Sequence, residues 1–191
     1  MEVSFVRVER QSEAIVHHDR GRVFRVRAPG ALRESPPHDL GHFIVERELG
    51  WQTGFWGYVA RGVLFPGIEQ LEGARRFHQD EHTRAALAGA KDLLTEAEGL
   101  ADVIRQIARG SLDRDPGRVV ALLARAWWPP HSRVRELPIA DLARACRAFR
   151  QADADWRALA LGDRLRYRWT SQRHPLAPEN PLDVRPLRRR G

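Results

Sequence analysis

Alternating apolar and polar positions open the chain and predict β-strands. Residues 1–28 contain three short runs in which Val, Phe and Ala alternate with polar residues, a period of two that is typical of strands with one buried face. Between the second and third runs, residues 17–21 read His-His-Asp-Arg-Gly, which favours a tight turn. These patterns predict a three-stranded antiparallel meander.

From residue 38 onward, the apolar positions recur with the period of an α-helix. The first predicted helix covers residues 38–49, with Pro36-Pro37 before it and Gly50 as its stop. The other predicted helices are a short one within residues 51–62 and further ones over residues 74–97, 100–108, 116–127 and 141–161. Asp115 stands before Pro116 as the N-cap of the helix over residues 116–127.

In the last part of the chain, apolar and polar positions alternate again, and the sequence then becomes rich in proline. Residues 164–170 could form a strand that returns to the N-terminal sheet, whereas residues 171–191 predict a Pro- and Arg-rich tail. A length of 191 residues fits one domain. We predict a single α+β domain over residues 1–170, in which residues 1–28 form the meander and residues 38–161 are mainly helical, with about five helices.

Four of the eight histidines form two His-x-x-x-His pairs, His38 with His42 and His78 with His82. A spacing of four places both imidazoles on one face of a helix, one turn apart, as two metal ligands from one helix require. The same spacing can also arise by chance in a chain with eight histidines. The first pair could be buried histidines bonded to Asp39 or Glu46, and the second pair also suits an exposed helix face.

Glu46 shares the helix face of the first pair. At 100° per residue, His38, His42 and Glu46 lie at about 0°, 40° and 80°. Most of the remaining circumference is apolar, which predicts a buried helix whose polar arc faces an internal pocket. About 12 Å along the axis separates His38 from Glu46, so both are not expected on one ion. Glu46 is expected to orient an imidazole or to serve a second ion.

A third metal ligand must come from another segment. His78, Glu81 and His82 carry suitable ligand atoms, so we predict a site for a divalent metal, Zn or Fe, with ligands from His38, His42, His78 and His82. Asp39 and Glu46 are the candidate catalytic residues for proton transfer. Asp39 takes the place of the general base in zinc peptidases of the His-Glu-x-x-His kind, with a side chain about one methylene shorter.

The run from His38 to His42 resembles the His-Asp-x-x-His metal motif of the coenzyme Q biosynthesis protein family. This resemblance implies a largely helical protein linked to quinone-ring processing. In that family eleven residues separate the second histidine from a glutamate, and the corresponding place here is Gly54. The longer pattern Pro-His-Asp-Leu-x-His-Phe-x-x-Glu, followed by Gly-Phe-Trp-Gly at residues 54–57, also resembles an uncharacterised bacterial family.

The charge of the chain suggests a second class of partner. The formal net charge is +7, and Lys91 is the only lysine among 32 cationic residues. Such an arginine excess fits contacts with nucleic-acid phosphates, but GC-rich coding produces it equally well. Residues 34–98 hold six cations and eleven acids, whereas residues 99–191 hold nineteen cations and ten acids. Nucleic-acid binding is therefore predicted only for the C-terminal half.

The remaining sequence features narrow the function further. Cys146 is the only cysteine, which excludes a disulfide framework and paired-cysteine zinc sites. The sequence also contains no glycine-rich phosphate loop and no serine-hydrolase motif. The first residues lack the apolar core of a secretory signal, so we expect a cytoplasmic protein without a membrane span. We predict a small metal-dependent enzyme of hydrolase type that acts on a small-molecule or peptide substrate. The alternatives are a nucleic-acid-binding or regulatory protein and a partner-binding protein whose aromatic segment docks another chain.

Overall fold

The computed structural model describes residues 1–9, 12–27 and 35–179. Within these ranges the chain forms a five-stranded antiparallel sheet and six α-helices. The strands are β1 (Glu2–Arg7), β2 (Ser12–His17), β3 (Val23–Arg27), β4 (Ile68–Glu72) and β5 (Arg164–Arg168). The helices are α1 (His38–Glu48), α2 (Phe55–Ala60), α3 (Gln79–Leu87), α4 (Lys91–Arg109), α5 (Pro116–Arg125) and α6 (Ile139–Ala158). The predicted α+β class is confirmed.

The strand order in the sheet is β4-β3-β2-β1-β5. The first three strands form the predicted meander, and β5 returns to pair antiparallel with β1, as the alternation near the C-terminus predicts. Strand β4 was not predicted. It lies at a sheet edge, where Leu71 is 37% exposed. Ile68 and Leu71 are its only apolar residues, so its sequence lacks the alternation of a half-buried strand.

The helix predicted over residues 74–97 is wrong in its bounds. The chain instead forms α3, turns at Gly89, and continues as α4, which also absorbs the separate helix predicted over residues 100–108. Gly89 has φ +76, a left-handed conformation that ends a helix and that glycine adopts without strain. No helix within the described ranges is long and apolar enough to cross a membrane.

Helix α1 lies at the centre of the hydrophobic core. Its Phe43 ring meets Phe5 of β1 and Trp56 of α2, with ring centroids 5.5 Å and 5.4 Å away. On its other sides α1 packs against α4 and α6. Trp51 and Trp56, in the aromatic segment after α1, belong to this core and are fully buried. The apolar positions of α1 thus fix its rotation and determine which helix its histidines face.

Residues 171–179, the start of the predicted tail, pack against the end of α1. Gly50 has φ +59, and a Cβ at this position would lie 2.6 Å from the carbonyl oxygen of Gln172. The amide of His174 donates to the Gly50 carbonyl at 3.0 Å, and His174 Nε2 lies 3.1 Å from Asp141 Oδ2 on α6. The rest of the predicted tail, residues 180–191, lies outside the described residues.

Asp115 caps α5, as the sequence predicts. Its carboxylate accepts a hydrogen bond from the Arg118 amide at 3.1 Å. Asp115→Ala leaves that amide without its acceptor, and we expect the free energy of unfolding in urea to fall by about 1 kcal/mol. Asp115→Asn keeps an acceptor oxygen and is the control. Equal stability of the two variants would contradict the assigned cap.

Candidate metal centre

Helix α1 presents His38 and His42 together on its face toward α4. Leu40 and Ile44 are buried in the core, so the histidine face turns the other way. The two imidazole rings are in contact, with centroids 4.3 Å apart and planes tilted by 36°. His42 is buried, whereas the side chain of His38 is 41% exposed. The pair therefore reaches from the interior to the protein surface.

A carboxylate from α4 completes this cluster. Glu98 Oε2 lies 3.1 Å from His42 Nε2 and 3.6 Å from His38 Nε2. One ligand atom from each of the three residues lies within 4.8 Å of the other two. In a tetrahedral zinc site with bonds of 2.0–2.1 Å, neighbouring ligand atoms are about 3.3 Å apart, so both measured separations are close to what one ion requires.

His42 Nε2 is buried and makes no hydrogen bond with the required geometry to any described atom. Its contact with Glu98 Oε2, at 3.1 Å, is an ion pair when His42 is protonated. Leaving a buried polar atom without a partner is costly. A cation between these ligand atoms would satisfy His42, so the residues present fit a divalent metal.

Each imidazole also has an acidic side chain on its opposite side. His38 Nδ1 lies 3.5 Å from Asp39 Oδ1, and His42 Nδ1 lies 4.0 Å from Glu46 Oε1. Metal-ligating histidines usually have such a carboxylate behind them, which fixes the tautomer and orients the ring. The sequence prediction placed Asp39 and Glu46 beside the pair, and the structure brings both of them there.

In the metal-free protein, the charges of His38 and Glu98 stabilise each other, so a bound cation would displace the proton of His38. Contacts with Asp39 and Glu98 raise the pKa of His38 to about 10. The adjacent imidazoles of His38 and His42 hold the pKa of Glu98 well below its usual range, although partial burial opposes this. Glu98 therefore stays a carboxylate at neutral pH and directs a negative oxygen to the point where both Nε2 atoms converge.

Glu46 also forms hydrogen bonds at the start of α2. Its Oε2 accepts hydrogen bonds from the amides of Trp56 at 3.0 Å and Gly57 at 3.2 Å, so the carboxyl group caps this short helix. The side chain is fully buried, and burial raises its pKa to about 8, although the two amides favour the charged form. Glu46 thus links the position of α1 and its His42 to that of α2.

Gly54 leaves the space that this carboxyl group occupies. A Cβ at residue 54 would lie 2.3 Å from Cδ of Glu46. The glutamate that the resemblance to the coenzyme Q family places at this position could not be accommodated while Glu46 keeps its place. The chain instead brings a carboxyl group to the same region from α1.

A small cavity adjoins the histidine pair. Its volume is about 10 Å³, and Pro37, Gly41, Ala101 and Phe149 are among the residues that line it beside His38 and His42. That space is comparable to what one water molecule needs. The cluster therefore offers three possible protein ligands, and a space of about one water molecule lies beside its two histidines.

The second histidine pair lies elsewhere. His78 precedes α3 in a left-handed conformation with φ +55, and its exposed ring pairs with Glu81 at 2.9 Å. His82 Nε2 lies 3.2 Å from the carbonyl oxygen of Arg61. Among the described residues, the ligand group contains His38, His42 and Glu98, and neither His78, Glu81 nor His82 joins it.

Sequence reasoning missed Glu98. This residue borders the buried face of α4, next to Ala97 and three positions before Ala101. This position is a signal that the sequence contains, because an acidic residue at the edge of an apolar stripe faces the element that packs beside that stripe. The periodicity of α4 does not say that its neighbour is the histidine face of α1.

Comparisons with known proteins found no relative of this chain. The resemblance to the coenzyme Q biosynthesis family and to the uncharacterised bacterial family therefore stays a prediction. No family model matches the chain, and neither the curated proteins nor the solved structures contain a significant match.

Proposed function

We propose that His38, His42 and Glu98 bind one divalent cation, Zn or Fe, in a small metal-dependent enzyme of hydrolase type. The observation that supports this proposal is the convergence of both Nε2 atoms on Glu98 Oε2, while an acidic side chain lies on the Nδ1 side of each imidazole. A merely structural histidine would need one or two hydrogen bonds. This cluster has instead the donor set and the orientation of a metal centre.

The geometry also suggests what each residue does. Asp39 and Glu46 lie on the Nδ1 sides, away from the point of convergence, so they act as positioning residues that orient His38 and His42. When bound, the cation would supply Lewis acidity for a substrate carbonyl or phosphoryl group and lower the pKa of a water molecule. Glu98 is 54% exposed, so a small-molecule or peptide substrate would approach from its side.

Metal binding by the full chain tests this proposal directly. Protein freed of metal with a chelator is titrated with Co²⁺, whose visible absorption reports on coordination number, and then with Zn²⁺. We expect one equivalent to bind and Zn²⁺ to displace Co²⁺. The double variant His78→Ala/His82→Ala is the matched control, since it removes the other His-x-x-x-His pair, and it should bind the same equivalent.

Two results would contradict the proposal. If the wild-type chain binds no Co²⁺ or Zn²⁺, His38 and His42 are structural histidines. If the wild-type chain binds the metal but the double variant does not, the metal binds at His78 and His82. Turnover of ester, phosphoester and peptide substrates that disappears with chelator and returns with metal would support the hydrolase assignment. Nucleic-acid binding through residues 99–191 stays a prediction from the arginine content.

A further inference from the structure

A second cluster of charged side chains lies outside the metal centre. A cavity of about 580 Å³ is formed by the turn between β2 and β3, the end of α2 and the loop between β4 and α3. Ligand sites of small molecules commonly occupy about 300–1,000 Å³. Arginine dominates the charged side chains of its lining, which comprise Asp19, Arg22, Arg61, Arg75 and Arg76, with Phe77 at one side.

We propose that this cavity binds the phosphate group of a small phosphate ester whose planar ring rests on Phe77. Four guanidinium groups and one carboxylate line it, so the cavity attracts an anion. Asp80 outside the lining neutralises Arg75 at 2.7 Å. Arg76 makes no ion pair with any carboxylate in the described part of the chain. The excess of positive charge matches a phosphate dianion.

Arg22 is the deepest of these cations. It is 8% exposed, and its Nη2 lies 2.6 Å from Asp19 Oδ1. Its Nε is buried and has no hydrogen-bond partner among the described atoms. A buried guanidinium with an unused donor is costly unless a further acceptor satisfies it. Phosphate oxygens are acceptors that suit the fork of an arginine.

Arg22 and Arg76 reach the same place from two segments. A Cβ at Gly62 would lie 3.9 Å from Arg22 Nη2 and 3.6 Å from Arg76 Nη1, so the two guanidinium groups flank this glycine. Charge-assisted N–H···O bonds of about 2.8 Å from two sides would hold one phosphate between them. A side chain at residue 62 would fill that space, and Gly62 leaves it open.

The loop that carries Arg75, Arg76 and Phe77 is anchored at both ends. Gly73, with φ +84, packs against the backbone of Arg22, where a Cβ would lie 2.9 Å from Cα. At the other end, the buried Gln79 donates from Nε2 to the Gly62 carbonyl at 2.9 Å. These contacts hold both ends of the loop in place before any ligand binds, which lowers the entropy cost of binding.

Phe77 indicates what is attached to the phosphate. Its side chain is 85% exposed, which is unusual for a large aromatic residue, and it lines the cavity together with the arginines. Planar rings such as nucleobases stack on exposed aromatic side chains. A nucleoside monophosphate combines both features, so AMP is a suitable probe.

Calorimetric titrations of the full chain, with and without Zn²⁺, test this proposal with AMP, adenosine and inorganic phosphate. We expect AMP to bind more tightly than inorganic phosphate, and adenosine to bind more weakly than either. Arg76→Gln should weaken AMP binding about tenfold or more, since it removes a charge-assisted contact. The matched control is Arg118→Gln, an exposed arginine on α5, and its affinity for AMP should stay within about twofold of wild type.

Two further variants separate the parts of the site. Phe77→Ala should weaken the binding of AMP but leave that of inorganic phosphate unchanged, because only the ring loses its contact. Glu98→Gln should leave AMP affinity unchanged, which separates this cavity from the metal centre. Since Arg76 and Phe77 are exposed, all variants are expected to fold, and thermal unfolding checks this.

Several outcomes would overturn the proposal. Wild-type protein that binds AMP and phosphate more weakly than about 10 mM has no such site. Equal losses in Arg76→Gln and Arg118→Gln would mean that AMP responds only to net charge. A single-stranded oligonucleotide that binds far more tightly than AMP and depends on Arg76 would show a polynucleotide surface in place of a small-ester site.

Discussion

Replacing Glu98 with glutamine is expected to weaken Zn²⁺ binding by about 100-fold or more, since a direct ligand contributes at least as much as the groups that orient it. Glutamine keeps the length of the side chain but lacks the negative oxygen that lies 3.1 Å from His42 Nε2. Zinc in proteins takes His nitrogen, Cys sulfur and carboxylate oxygen, and a neutral amide does not replace them. Competition with a chromophoric chelator measures the change in affinity.

Glu81→Gln is the matched control for Glu98→Gln. Glu81 also lies beside a histidine, 2.9 Å from His78 Nδ1, but this pair is exposed and distinct from the proposed site. We expect its Zn²⁺ affinity to equal that of the wild type. If Glu98→Gln binds Zn²⁺ as tightly as Glu81→Gln does, Glu98 is not a ligand. Thermal unfolding of both metal-free variants separates loss of a ligand from loss of the fold.

Glu46→Gln is expected to remove a pH dependence of stability that the wild-type chain shows between about pH 5 and pH 9. Burial raises the pKa of Glu46 to about 8 from an ordinary value of 4.5. Between these values the folded protein holds a proton that the unfolded chain has released. The free energy of unfolding therefore falls as the pH rises, by a total on the order of 3–5 kcal/mol. It levels off above the folded-state pKa.

Glutamine cannot ionise, but its carbonyl oxygen can still accept from the amides of Trp56 and Gly57. We expect metal-free Glu46→Gln to match the wild type near about pH 5 and to be the more stable protein above about pH 8. Urea unfolding with chelator at a series of pH values measures the difference. Glu48→Gln, at the partly exposed end of α1 beside Arg47, is the control and should stay within about 1 kcal/mol of wild type. A difference between Glu46→Gln and wild type that does not vary with pH would contradict the prediction.

The histidine face of α1 could be predicted because it depends on local geometry. A spacing of four residues and a mostly apolar circumference are properties of one helix, and the packing of that helix preserves them. The same reasoning predicted the meander, the return of β5 and the cap at Asp115, whose signals lie within a few residues of each element.

Predictions that needed contacts between segments were less successful. His78 and His82 offered the right atoms for a third ligand, but the turn at Gly89 separates α3 from α4, and it is α4 that packs beside α1. The helical period continued across that turn, so the sequence pattern did not reveal the break. Glu98 lies at the edge of the apolar stripe of α4, but the sequence of α4 does not reveal that the histidine face of α1 packs beside that edge.

The sequence by itself determined the α+β class, the face shared by His38, His42 and Glu46, and the absence of a disulfide or paired-cysteine site, because periodicity and composition can be read from the chain without its contacts. Only the tertiary structure decided that Glu98 meets the two imidazoles and that Glu46 also caps α2. It also decided that arginines from two separate segments flank Gly62. These contacts join residues far apart in sequence, and they follow from how the apolar faces of helices and strands pack together, which no single segment encodes.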